Sequence, residues 1–231
     1  MKPSPHSARS RSADGDENAQ GEESIRPPLR VTVFSDFICS WSYLAEAVLR
    51  EFSLGESAPG QIDLHFRARE LYPASTQPSR PVWSDAEWGL ISRFAAEAGV
   101  GIRKPGWRPF TRKAHEAAVF ARDHGLELPF RQAVYALYWM EDADIGRIDL
   151  LVGVAGRTGL DPEKLRIALD LDLYAERVEA EGVLGDRLRI PGTPAIFPGT
   201  GASAKIILGG HPAVELRRLI RDAIEHGMEN E

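Results

Sequence analysis

The chain has 231 residues, of which 43% are hydrophobic, and a formal net charge of −6. That length suits one large domain, or one domain with a substantial insertion, and the apolar content is ample for a buried core, which excludes global disorder. The acidic balance offers no broad basic face to phosphates, so no nucleic-acid partner is expected.

No stretch approaches the roughly 20 apolar residues that span a bilayer, so no membrane partner is expected either. After Met1 the chain runs through Pro, Ser, Arg, Asp, Gln and Glu, without the apolar core of a secretory signal. Asp14, Asp16, Glu17, Glu22 and Glu23 interrupt any basic presequence helix. A cytoplasmic location is the expectation. Cys39 is the only cysteine, which rules out an internal disulfide and agrees with that compartment.

Residues 1–29 hold few large apolar side chains and read as a disordered tail ending near Pro27-Pro28. Val31 to Phe34 is a β-branched and aromatic run that reads as a strand. Trp41 to Phe52 reads as a helix, with Tyr43, Leu44, Ala47, Val48 and Phe52 at helical spacing. Ile62, Leu64, Phe66 and Ala68 then alternate with Asp63, His65 and Arg67, as in a strand with one buried face. Strand, helix, strand in about forty residues is a βαβ unit.

A helical block follows. Ser84 and Glu87 have capping-box spacing before the apolar stripe Trp88, Ile91, Phe94, Ala95 and Ala98. Further helices are expected near 111–124, 129–141, 148–158, 162–170 and 173–185, with Asp161-Pro162 opening one and Gly125 and Gly159 closing others. Ala195–Phe197 and Lys205–Leu208 flank the turn-forming Pro198-Gly199-Thr200-Gly201 and read as a hairpin. A last helix starts at Pro212. The order βαβ, helical block, ββα predicts an α/β protein: a thioredoxin-like fold over 30–228 with a helical insertion domain at about 84–185, lying as a lid on the sheet.

Two segments carry a family resemblance. Asp36-Phe37-Ile38-Cys39-Ser40-Trp41-Ser42-Tyr43-Leu44 resembles the Asp-x-x-Cys-Pro-Trp-Cys-Tyr-x-Gly segment of the FrnE-like branch of the DsbA family. Ile190-Pro191-Gly192-Thr193-Pro194-Ala195 resembles that family's Gly-x-Pro-Gly-x-Pro loop with its cis-proline. Arg103–His124, Leu150–Leu169 and Leu208–Pro212 resemble the family's insert and the opening of its final helix. The family is related to 2-hydroxychromene-2-carboxylate isomerases and kappa-class glutathione transferases, which carry serine at the position of Cys39. Here the second cysteine of the redox motif is replaced by Ser42, and the usual proline by Ser40.

Cys39 lies between a strand and a helix, so its sulfur is expected at a helix N-terminus, where free amides and the helix dipole favour the nucleophilic thiolate; the alternative is an inert buried cysteine. Ser42 cannot resolve a mixed disulfide but can donate a hydrogen bond toward the sulfur; alone it is also an ordinary first-turn residue. The resemblance implies that Thr193 and Pro194 face Cys39, with the Thr193 backbone offered to a peptide or to glutathione by strand addition. Trp41 is a candidate cleft wall, or else a half-buried helix aromatic. His115, in an Arg-x-x-His arrangement resembling the insert helix that faces the active site, is a candidate substrate-binding residue, or else an exposed helical histidine. The basic and aromatic segment Arg103–Lys113 reads as a solvated loop before an anion site.

No metal site or bound cofactor is expected, since Cys39 has no ligating partner and no nucleotide-binding loop is present. The resemblance implies thiol–disulfide exchange through the single thiol Cys39, with glutathione, a small thiol or a peptide as partner and glutathione as co-substrate. The alternatives are a glutathione-dependent isomerase or transferase, and a redox-inactive binding protein using the same cleft. Nothing in the sequence fixes an oligomeric state.

Overall fold

The computed structural model describes residues 27–54, 61–73, 83–199 and 206–227. Most of the expected tail lies outside the described residues, as do Thr200, Gly201 and Lys205 of the expected hairpin. The elements are β1 (Leu29–Ser35), α1 (Ser40–Leu54), β2 (Ile62–Ala68), α2 (Asp85–Glu97), α3 (Arg112–Asp123), α4 (Glu127–Trp139), α5 (Ile148–Thr158), α6 (Pro162–Asp170), α7 (Ala175–Arg187), β3 (Ala195–Pro198), β4 (Ile207–Leu208) and α8 (Ala213–Gly227).

The four strands form one sheet in the order β2-β1-β3-β4. β1 runs parallel to β2, with Val33 opposite Phe66, and antiparallel to β3, with Val33 opposite Ile196. β3 pairs antiparallel with β4. This is the βαβ plus ββα arrangement expected from the sequence, with six helices among the described residues between β2 and β3. β1 starts at Leu29, two residues before the expected strand, because Leu29 pairs with Ile62 and donates its amide to Gln61 O at 2.9 Å.

Local signals place the helix ends. Ser84 and Glu87 close a reciprocal capping box on α2, and Asp161 accepts from the amides of Glu163 and Lys164 ahead of Pro162. Gly159 ends α5 with φ +88°, a left-handed conformation that side chains resist.

The helical segment does not act as one lid. Phe94, Ala95 and Ala98 at the C-terminal end of α2 join Val31, Val33, Val48, Ile196 and Ile220 in the core between the sheet, α1 and α8. A second core, made by α3 to α6, gathers Phe130, Val134, Leu151, Val154 and Leu165 with Phe37 and Ile38 from the loop after β1. Thus α2 belongs largely to the sheet layer, and the later helices grip the β1–α1 loop. The distinction is tertiary: amphipathic helices are alike in sequence whichever layer they cover.

The basic segment is largely tied down. Arg112 pairs with Glu70, Lys113 with Glu116 and Asp172, and the Arg108 guanidinium lies over the Tyr72 ring at 4.1 Å. These engagements weigh against an anion site, and the loop stops short of the expected end because Arg112 and Lys113 open α3.

Candidate active site around Cys39

Asp36 to Cys39 form the turn between β1 and α1. Cys39 N donates back to Asp36 O at 3.1 Å, and Cys39 O accepts the first bond of α1 from Tyr43 N, also at 3.1 Å. Cys39 therefore stands at the helix start, as its sequence context predicts. Its Sγ–H donates to Thr193 O at 3.2 Å, and the Thr193–Pro194 peptide bond is cis. Pro194 O accepts from Gly209 N at 2.9 Å, which ties this loop to the start of the segment leading into α8.

The sulfur is less exposed than its helix-start position suggests: Cys39 is 7% accessible. The Ser42 and Thr193 hydroxyls are buried with no partner besides the Cys39 sulfur that both approach. Burial pushes the Cys39 thiol above its ordinary range; the Ser42 hydroxyl, the Thr193 hydroxyl and the Ser42 amide pull against that, and the Asp36 carboxylate pushes further up. This corrects the expectation of a depressed thiol. Desolvation of the charged sulfur outweighs the favourable helix start and its donors.

Trp41, in the first turn of α1, lies 5.7 Å from the Phe94 ring, centroid to centroid. Its ring also occupies the space that a Cβ on Gly210 would need, so the loop before α8 approaches it as bare backbone. It does line a cleft. His115 is neither exposed nor at the cleft surface. It is 1% accessible, its ring tilted against that of Phe37 with centroids 5.0 Å apart, and its Nε2 lies 3.3 Å from Asp36 Oδ1. It can act on the thiol only through Asp36, not by touching a substrate.

Asp36 itself is the residue that the sequence reading passed over. It is fully buried, and its Oδ2 accepts from Leu71 N at 2.7 Å. One face of α4 completes the support. Trp139 Nε1 donates to Phe37 O at 3.0 Å, the Tyr135 hydroxyl to Asp36 O at 3.5 Å, and Arg131 lies over the Phe37 ring at 4.8 Å. Residues 131, 135 and 139 are spaced by four, so they stack along one helix face. That spacing was the available signal, although it does not name the partner.

Replacing Asp36 by Asn keeps an acceptor for Leu71 N and removes a negative charge beside the sulfur. Losing that charge favours the thiolate, so the thiol pKa should fall. The pH midpoint of Cys39 alkylation should then move to lower pH than in the parent protein. An unchanged or higher midpoint would show that Asp36 does not govern the thiol.

Similarity to known proteins extends over the same elements. Residues 30–221 match the DSBA-like thioredoxin domain. Among solved structures, the fold resembles the probable DsbA oxidoreductase SCO1869 from Streptomyces coelicolor, with TM-score 0.71 and 23% identity over 84% of this chain and 89% of that one. It also resembles a 2-hydroxychromene-2-carboxylate isomerase, with TM-score 0.67 and 15% identity over 87% and 99% of the two chains. The cytosolic disulfide reductase DsbM from Pseudomonas aeruginosa, in a structure with GSH, has TM-score 0.62 and 17% identity over 87% and 98%. At these identities the solved structures speak to the fold, while the domain match spans most of the sequence. With its four-stranded sheet, its helical insertion and Cys39 at the start of α1, the chain belongs to the family of DSBA-like thioredoxin domains.

Proposed function

We propose that this protein catalyses thiol–disulfide exchange through Cys39 alone, with glutathione as co-substrate. The carrying observation is the pairing of Cys39 Sγ with Thr193 O at 3.2 Å, in a chain with no second cysteine. The DsbM structure with GSH supports glutathione as the partner, and the cytoplasm as the place where that thiol is abundant.

In this reading, Cys39 loses its proton and attacks the glutathionyl sulfur of a mixed disulfide. The Cys39–glutathione bond forms, and the substrate leaves as a thiolate that takes up a proton. A second glutathione thiolate then attacks the glutathionyl sulfur, releasing glutathione disulfide and restoring Cys39. Ser42 and Thr193 supply hydroxyls to the charged sulfur, and loss of the Sγ proton frees Thr193 O to accept from glutathione or a peptide. Trp41 walls the cleft, Pro194 shapes the loop, and His115 acts from below through Asp36.

Ser42 cannot close an internal disulfide, so mild oxidation with glutathione disulfide should leave Cys39 as a persistent glutathione adduct, visible by intact mass. In Ser42→Cys the introduced thiol should displace glutathione and raise dithiol oxidase activity. No adduct in the parent protein, or equal persistence in both proteins, would oppose the proposal. The Ser42 hydroxyl, buried with no partner besides the Cys39 sulfur, favours one second reading, a glutathione-dependent isomerase or transferase in which Ser42 orients the glutathione sulfur. Isomerisation or conjugation that survives Cys39→Ser would favour it.

A further inference from the structure

Helix α6 buries Leu165, Ala168 and Leu169 and turns a second apolar stripe to solvent. Ile167 and Leu171, four residues apart and so on one face, are 54% and 64% exposed, and Leu173 in the following turn is 60% exposed. None of the three joins an apolar cluster among the described residues. A single exposed leucine is ordinary, whereas three large aliphatic side chains in one short stretch mark a surface that another molecule covers.

The stretch is held in place rather than loosely displayed. Leu171 N donates to Ile167 O at 3.1 Å and Leu173 N to Ala168 O at 3.0 Å, which fixes the turn. From α3, Lys113 Nζ donates to Leu169 O at 2.7 Å and pairs with Asp172. An ordered surface of this kind loses little conformational freedom on docking. Along one flank of the stripe, half-buried Arg166 and exposed Asp170 are also four residues apart, and neither has an ion-pair partner among the described residues.

We propose that this face pairs with the same face of a second copy, giving a homodimer about a twofold axis across α6. Such an axis sets the two copies of α6 antiparallel and keeps the matching flanks on the same side. Ile167 then meets the partner's Leu171, and Arg166 meets the partner's Asp170, each contact occurring twice. The face is thus complementary to itself in charge as well as in apolar contact. The aliphatic side chains supply the affinity, and the rim charges set the orientation, because exposed ion pairs add little energy but disfavour a wrong register. Three aliphatic side chains per copy cover less than the roughly 800 Å² per partner of a standard interface, so the dimer is concentration-dependent rather than obligate. Its formation does not depend on the chemistry at Cys39.

Analytical ultracentrifugation of the full chain, from roughly 10 μM to roughly 1 mM, reads the association. The average mass should rise toward twice that of the monomer. Leu171→Asp, a change at an exposed position, should weaken the association by about tenfold or more. Arg166→Asp leaves only acids on the flank and Asp170→Arg only bases, so each variant alone, its folding checked by circular dichroism, should associate more weakly than the parent protein. An equimolar mixture of these two should recover the parent strength, since each acidic flank now meets a basic one. A parent protein that stays monomeric throughout would overturn the proposal and leave the stripe to a different protein. Association undiminished in Leu171→Asp, or a mixture no stronger than its separate components, would overturn it as well.

Discussion

Replacing Arg131 by leucine should destabilise the fold by about 3–5 kcal/mol, the cost of leaving a buried charge without its partner. Arg131 is buried, and its Nε and Nη2 donate to both oxygens of the equally buried Glu46 at 2.8–3.1 Å. Nη2 also donates to Ser35 Oγ at 2.8 Å, and the guanidinium lies 4.1 Å from the Phe66 ring centre. Burial disfavours the guanidinium's charge, yet the Glu46 carboxylate holds its pKa above the ordinary range. Deleting Arg131 strands Glu46 on α1, close to the β1–α1 turn. Removing both charges, as in Glu46→Leu with Arg131→Met, should recover most of the loss, because paired buried ions contribute little net stability. Urea denaturation of the parent protein and the two variants measures this directly. A loss under about 1 kcal/mol for Arg131→Leu would show that the pair is solvated or replaceable.

That pair marks where sequence patterns stop being informative. Period-two and period-3.6 apolar spacing located the strands and helices because each element buries one face, and the capping box at Ser84 and the Asp161-Pro162 start fixed two helix ends. Glu46 and Arg131 look like ordinary surface residues of amphipathic helices; only the tertiary fold brings them together inside the core. The same limit hid the two-layer division of the helices, since Phe94 and Phe130 read alike along the chain and yet enter different cores.

At the site, the sequence identified Cys39, Ser42, Thr193 and Pro194, and the structure brings these segments together across 154 positions. Burial of Cys39 was one of two readings that the sequence left open. Cys39 sits at a helix start, a position that lowers thiol pKa, but its small accessible fraction reverses the balance. His115 was read as an exposed histidine or a substrate contact, whereas it lies buried against Asp36, because α3 crosses beneath the β1–α1 turn. Asp36 was in view as part of the Asp-x-x-Cys segment, but a carboxylate's burial depends on chain segments remote in sequence, here those of Leu71 and His115.

A raised thiol pKa also sets what exchange through Cys39 requires. The resting thiol is protonated and bonded to Thr193 O, so its activity should rise with pH through a midpoint above that of an ordinary cysteine. The measurement closest to the central claim is turnover of an S-glutathionylated peptide in excess glutathione, with the release of glutathione disulfide followed for the parent protein and for Cys39→Ser. The account predicts catalysed release by the parent protein, with a Cys39–glutathione adduct trapped during turnover, and only the uncatalysed rate in Cys39→Ser, because no other thiol exists in the chain. Equal rates in the two proteins would contradict it.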